Sequence, residues 1–186
     1  MPERLPAKQA ADIAESEFAE IVHRHQSMVY SIALHFLADR SAAEELAQDV
    51  FLQLHSNLDA LKSEEHMIFW LRKVTSHRCI DHKRRRHLPQ LSLDEAPEPV
   101  APTRSDDPFL ANRLRRLLTS LPEKARIVMI LRYQEDMNPE EIGDALGMPV
   151  ATVKSHLQRS LALLREKLMR VMGPVPNEEI EGEATL

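Results

Sequence analysis

The stretch MNPEEIGDALGMPVATVKSH, Met137 to His156, leaves the backbone very few paths. Asn138 can cap a helix, Pro139 suits the first helical position, and Glu141 falls where its carboxylate can reach back to the capping amide. The short helix EEIGDAL should end at Gly147, GMP should turn, and a long last helix should run from about Val150 to Met172. Val153, Leu157, Leu161, Leu164 and Leu168 are expected to face inward. Two helices joined by so tight a turn are a helix-turn-helix. Thr152, Lys154, Ser155, His156, Gln158 and Arg159 then fall on the outer side of the last helix. They are donors suited to base edges and phosphates, where a merely solvated helix more often carries Glu and Lys pairs. On spacing alone, a plain helical hairpin remains the alternative.

The rest of the chain also reads as helix. Phe18, Ile21, Val22, Val29, Ile32, Ala33, Phe36 and Leu37 recur at three- and four-residue steps, predicting a helix from about Phe18. Ser41 stands three residues before Glu44, a capping-box pattern that would open a second helix carrying Leu46, Val50, Phe51 and Leu54. A third should begin after Ser63 and run through FWLRKVTSHRCIDHKRRR with Phe69, Trp70, Val74 and Ile80 inward. NRLRRLLTSL and PEKARIVMILRYQ, with Pro122 near its first turn, read as two more. With only 4 Gly and 4% aromatic residues, a β-sandwich or barrel is disfavoured, and the expected fold is all-α.

Charge divides the chain where the helices do. Residues 18–65 hold 3 basic and 8 acidic side chains, and residues 66–87 hold 7 basic and 1 acidic. Residues 88–107 hold 1 basic and 5 acidic, together with Pro89, Pro97, Pro99 and Pro102, the composition of a linker. Residues 108–172 hold 11 basic and 7 acidic, and the remaining tail carries four Glu and no base. The formal net charge of -5 therefore conceals two basic surfaces. A polyanion feels the local field within about a Debye length, roughly 8–10 Å, so nucleic acid is an admissible partner. The expected organisation is an N-terminal tail, 1–17; a helical domain, 18–87; a Pro-rich acidic linker, 88–107; a helix-turn-helix domain, 108–172; and an acidic disordered tail, 173–186.

With both halves read, the sequence resembles the extracytoplasmic-function sigma factors, the small two-domain promoter-recognition subunits of bacterial RNA polymerase. The resemblance rests on AEELAQDVFLQL (Ala43 to Leu54), FWLRKVTSHRCIDHKRRR (Phe69 to Arg86), LPEKARIVMILRY (Leu121 to Tyr133) and PEEIGDALGMPVATVKSHLQRS (Pro139 to Ser160). It implies two small helical bundles, sigma regions 2 and 4, joined by a flexible linker. It further implies that Glu45, Gln48 and Asp49 grip the clamp helices of the largest catalytic subunit, with a second contact to the flap of the other large subunit. Arg72, Lys73, His77, Arg78, Lys83, Arg84 and Arg85 would lie along the -10 promoter element, and Asp81 would orient neighbouring arginines. The loop at about Ser56 to His66 would capture a flipped base, and Thr152, Lys154, Ser155, His156, Gln158 and Arg159 would read the -35 element. The acidic linker resembles the segment that such proteins thread through the polymerase cleft, and an anti-sigma factor is an implied partner. His77 stands where the family usually has Asn, and His156 replaces a frequent Arg.

Three rival readings are weaker. TVKSH is reminiscent of response-regulator-type transcription factors, yet residues 18–87 offer neither the strands nor the phosphoacceptor of a receiver. His77, Cys79, His82 and His87 could suit zinc, but His77 and Cys79 are two apart on a helix and four neighbouring cations oppose a divalent ion. Trp70 and Phe69 could be strand-separating wedges, though their spacing assigns them to the core. No phosphate-cradling glycine loop, His-Glu-x-x-His helix or nucleophile arrangement occurs, so neither enzymatic activity nor a cofactor is expected. The single cysteine excludes an internal disulfide framework, and no apolar run approaches the roughly 18 residues of a membrane span. The expected location is cytoplasmic.

Overall fold

The computed structural model describes residues 7–87 and 115–172. In chain order these form α1 (Ala7–Leu37), α2 (Arg40–His55), a single 3-10 turn (Leu58–Ala60), α3 (Glu64–His87), a helical segment at residues 115–119, α4 (Glu123–Tyr133), α5 (Pro139–Leu146) and α6 (Val150–Met172). No strand occurs among the described residues, in keeping with the expected all-α class.

Two helix starts differ from the sequence reading. The first helix begins at Ala7, not Phe18, so residues 7–17 belong to it and not to a tail. AKQAADIAESE is built of good helix formers, and the apolar period used to place the start registers only where the helix meets a core. The second helix is capped by Asp39, not Ser41. Ala38 turns the chain at a positive φ of 56°, Asp39 is extended, and its side chain accepts the Ala42 N–H at 3.0 Å. Glu44, expected to reach back as a capping partner, instead accepts from Arg40 Nε at 3.1 Å. Ser63 does begin α3, its hydroxyl accepting the His66 N–H at 3.1 Å.

α1, α2 and α3 pack on one another around Ile32, Phe36, Val50, Leu54 and Leu71, all fully buried. Phe69 and Trp70 are half-buried against this core, as their spacing predicts. In the second half, Ile127, Val128, Leu131, Ile142 and Val153 are buried where α4, α5 and α6 meet. The two groups are one continuous apolar cluster: α1 packs on α4, and α3 packs on both α4 and α5. A smaller cluster, Leu121, Met129 and Leu164, sits beneath the last helix.

One inward assignment on α6 is corrected. Leu161 is 44% exposed, whereas Ser160 is buried. From Val153 the 3.6-residue period reaches Leu157, Ser160 and Leu164, and Leu161 falls one step to the side.

Arg126 binds the halves together. Its guanidinium donates to the carbonyls of Phe36 (2.7 Å), Leu118 (3.0 Å), Thr119 (2.5 Å) and Leu121 (3.1 Å). It is 5% exposed, and burial lowers its pKa from the ordinary guanidinium value.

Candidate nucleic-acid interface

The helix-turn-helix is held by local chemistry. Asn138 Oδ1 accepts the Glu141 N–H at 2.9 Å while Glu141 Oε2 accepts the Asn138 N–H at 2.7 Å, the full reciprocal cap. α5 ends at Gly147, whose φ of 63° is the left-handed conformation that glycine adopts without penalty. The turn closes with Met148 N–H on the Gly143 carbonyl at 3.0 Å and Thr152 N–H on the Pro149 carbonyl at 2.8 Å. A Cβ at Gly143 would lie 2.9 Å from the Met148 carbonyl oxygen, so the tightness of the turn excludes any side chain there.

This turn presents the first turns of α6. Thr152, Lys154, Gln158 and Arg159 are exposed, and Ser155 and His156 are half-exposed. Lys154 faces Glu140 at 3.5 Å, both about 60% exposed, a pairing weak enough for a phosphate to displace.

The basic face of α3 is less uniform. Lys73, Arg84 and Arg85 are exposed and Lys83 is half-exposed. Arg84 donates to Asp81 at 3.1 Å, so Asp81 does orient an arginine. Arg78 turns instead towards α2: Nη1 donates to Asp49 at 2.8 Å, and Nε and Nη2 donate to Gln53 at 3.1 and 3.0 Å. A residue expected on DNA is thereby paired with one expected on polymerase. Arg72 and His77 turn towards the second half of the chain. Arg72 Nε meets Glu135 at 3.0 Å, and His77 Nε2 donates to the Ala145 carbonyl at 2.9 Å.

On α2, Glu45, Gln48 and Asp49 are exposed together, as expected of residues three and four apart. Leu52 prolongs the same stripe and is 69% exposed, and sequence reading passed over it. The signal was available: Leu52 lies four residues after Gln48 and off the buried row of Leu46, Val50 and Leu54. Glu135 and Arg126 were missed as well. Glu135 lies in an irregular connection with no period to mark it, and the partners of Arg126 are main-chain carbonyls.

The loop after α2 contains the Leu58–Ala60 turn and is pinned by Asn57 Nδ2 on the Gln53 carbonyl at 2.7 Å. Leu58 and Leu61 pack against the core, leaving Asp59 outward. The candidate metal donors do not converge: Cys79 is fully buried while His77 reaches across to Ala145. Burial raises the Cys79 thiol pKa far above the usual range. His87 has no described side chain, and the acidic linker and the C-terminal tail lie outside the described residues.

His35 sits at the seam between the halves, its Nδ1 2.5 Å from Gln134 Oε1 and 3.3 Å from Ser31 Oγ. Burial lowers its pKa below the ordinary imidazole value, with the Gln134 hydrogen bond acting in the opposite sense.

Comparison with known proteins agrees with this geometry. Residues 21–88 match the family model described as sigma-70 region 2, and residues 111–164 match that of sigma-70 region 4. The chain is 27% identical over 179 residues to the ECF RNA polymerase sigma factor SigW of Bacillus subtilis, spanning 87% of this chain and 94% of that one. It is 30% identical over 152 residues to the RNA polymerase sigma-E factor of Streptomyces avermitilis, spanning 82% and 85%. In fold it matches the sigma factor RpoE of Bartonella quintana, solved in complex with the anti-sigma factor NepR, with a TM-score of 0.69 at 18% identity over 84% of this chain and 98% of the other. The region 2 match fills the segment in which a response regulator would need its receiver, so that rival is set aside.

Proposed function

The chain belongs to the extracytoplasmic-function sigma factors, which direct core RNA polymerase to promoters, and from that premise we propose how its surfaces divide the work. Glu45, Gln48 and Asp49, with Leu52 beside them, form the polymerase-binding stripe. Lys73, Lys83, Arg84 and Arg85, joined by Arg72, His77 and Arg78, follow the -10 element. Thr152, Lys154, Ser155, His156, Gln158 and Arg159 enter the major groove at the -35 element. The observation that carries this reading is the exposed donor set at the start of α6, set at a fixed angle by the reciprocal cap and by Gly147.

The chemistry of each surface supports its assignment. Opening a duplex costs a few kcal/mol per unstacked step, which a basic helix offsets by neutralising the displaced strand. A phosphate-binding lysine such as Lys154 contributes affinity without sequence preference, whereas Gln158 and Arg159 have the donors to discriminate bases. We read the chain as non-catalytic, the polymerase supplying the chemistry, and place it in the cytoplasm with that polymerase. Among the described residues no helix is long and apolar enough to cross a membrane. An anti-sigma factor, such as the one seated on the structural neighbour, is the regulatory partner that this reading calls for.

Runoff transcription with purified core polymerase and mapped start sites tests the whole. Promoter-dependent initiation only when this chain is added is the expected result, and its absence across a genomic template library refutes the reading.

A further inference from the structure

We infer that the second half of the chain is an internal competitor for the DNA-binding face of α3. In the closed form, Glu135 and the carbonyl end of α5 occupy donors that the -10 strand requires. This rests on the assignment of α3 to the -10 element and adds to it a state in which that helix is occupied from within.

Glu135 is the centre of the closed form. Its side chain is 7% exposed, and both carboxylate oxygens are engaged, Oε2 by Arg72 Nε at 3.0 Å and Oε1 by Gln134 Nε2 at 3.0 Å. A carboxylate so buried requires a compensating cation, and the cation comes from the opposite half of the chain. Carboxylate and phosphate are the two anions that a guanidinium recognises with the same planar fork. Glu135 therefore takes up, through one Nε contact, a donor of Arg72 that a backbone phosphate would use.

A second contact has the same polarity. His77 donates to the carbonyl of Ala145, the penultimate residue of α5, at 2.9 Å. The last carbonyls of a helix lack intrahelical partners and carry partial negative charge. Two donors of the basic helix are thus satisfied by negative groups of the helix-turn-helix half. Beneath them the shared apolar cluster of Ile32 and Phe36 with Ile127 and Leu131 gives the closure a hydrophobic footing.

The closed form is incompatible with a promoter. Elements centred at -10 and -35 are about 25 base pairs, or about 85 Å, apart along B-form DNA. The 2.9 Å contact between His77 and Ala145 holds their two readers against each other. Residues 88–114, at about 3.3 Å each, have a contour reach of about 90 Å, enough for the halves to separate to that span. Opening is therefore a required step, and Glu135 sets part of its cost.

The test compares the full-length chain with its E135Q and Q134A variants, and with E166Q as a control, since Glu166 pairs with Arg170 on the exposed side of α6. Gln134→Ala removes the His35 contact and one of the two hydrogen bonds to Glu135 but keeps the Arg72–Glu135 ion pair, so one variant remains informative if the other fails to fold. The readouts are the radius of gyration by small-angle X-ray scattering and the affinity for a fluorescent single-stranded DNA of mixed sequence. Apparent affinity scales with the open fraction, so E135Q and Q134A are expected to have a larger radius and to bind about fivefold tighter or more, with E166Q unchanged. Binding by folded E135Q and Q134A no tighter than by E166Q, or a wild-type chain already extended in scattering, overturns the inference. Loss of the sigma-factor reading would appear separately, as no promoter-dependent initiation with core polymerase for any of the four proteins.

Discussion

The Arg126 guanidinium donates to the Phe36 carbonyl at 2.7 Å and its carbon lies 5.4 Å from the centre of the Phe36 ring. Phe36 is thus held through both its main chain and its side chain by a cation from the other half of the molecule. Three further carbonyls, of Leu118, Thr119 and Leu121, complete the arginine's set.

Replacing Arg126 with Met keeps much of the aliphatic volume but strands these carbonyls. At about 1–3 kcal/mol for a buried group left unpaired, partly relieved by relaxation, the expected loss is about 2–4 kcal/mol in urea unfolding monitored by circular dichroism. Arg126→Lys should recover only part of it, because one ammonium cannot match the guanidinium's fan of donors.

Acid should loosen the same seam. The pKa of His35 is lowered from 6.5, first by burial, so the native state takes up fewer protons there than the unfolded chain. Stability from the neutral imidazole is complete above about pH 6.5 and is lost as pH falls through the lowered native value. Gln134, Ser31, Arg115 and Glu135 are the groups that act on it. Melting temperatures measured from pH 7.5 down to 5.5 should fall, and His35→Gln should flatten that slope. His25, also lowered by burial, contributes in the same direction.

In the turn of the helix-turn-helix the two glycines should respond differently to alanine. Gly147 has open space around its missing Cβ and a positive φ, so G147A carries only the left-handed penalty, about 1 kcal/mol. Gly143 meets the Met148 carbonyl oxygen at 2.9 Å, so G143A must shift the turn itself. Thermal melts should rank G143A as the more destabilised, and gel-shift binding to -35 duplex DNA should fall further for it than its stability loss accounts for.

Leu52 is a large apolar side chain in water beside the proposed polymerase stripe. Leu52→Arg should leave folding stability within about 0.5 kcal/mol of wild type, as surface changes usually do. Its affinity for core polymerase should fall about tenfold or more, measured by fluorescence anisotropy, as for a buried interface anchor.

Cys79 should be inert in the native protein. It is fully buried and its thiol pKa is raised by desolvation, so the thiolate is scarcely formed. Iodoacetamide should label it only in denaturant, and rapid labelling of the folded chain would contradict the buried position.

What could be read in advance was whatever the chain announces locally. Ser63, Asn138, Pro139, Glu141 and Gly147 mark helix ends through backbone rules that need no knowledge of the rest of the fold, and each occupies its expected place. The outward set on α6 follows from the same register. Ser41 lost its role because Ala38 adopted a left-handed conformation, for which alanine gives no signal. The closeness of the two halves was not legible at all. A buried residue facing its own domain and one facing a neighbouring domain show the same period, and the groups that receive Arg126 and His77 are carbonyls common to every residue.

A joint built on main-chain acceptors changes in its own way over generations. Because Arg126 and His77 address main-chain oxygens at Leu118 and Ala145, these bonds place no direct demand on the side chains there, whereas Phe36 also meets Arg126 through its ring. Leu118 and Ala145 are free to drift as packing allows, while the two donors are not. A lineage can therefore rework the outer surface of its helix-turn-helix while the donors that join the two halves stay in place.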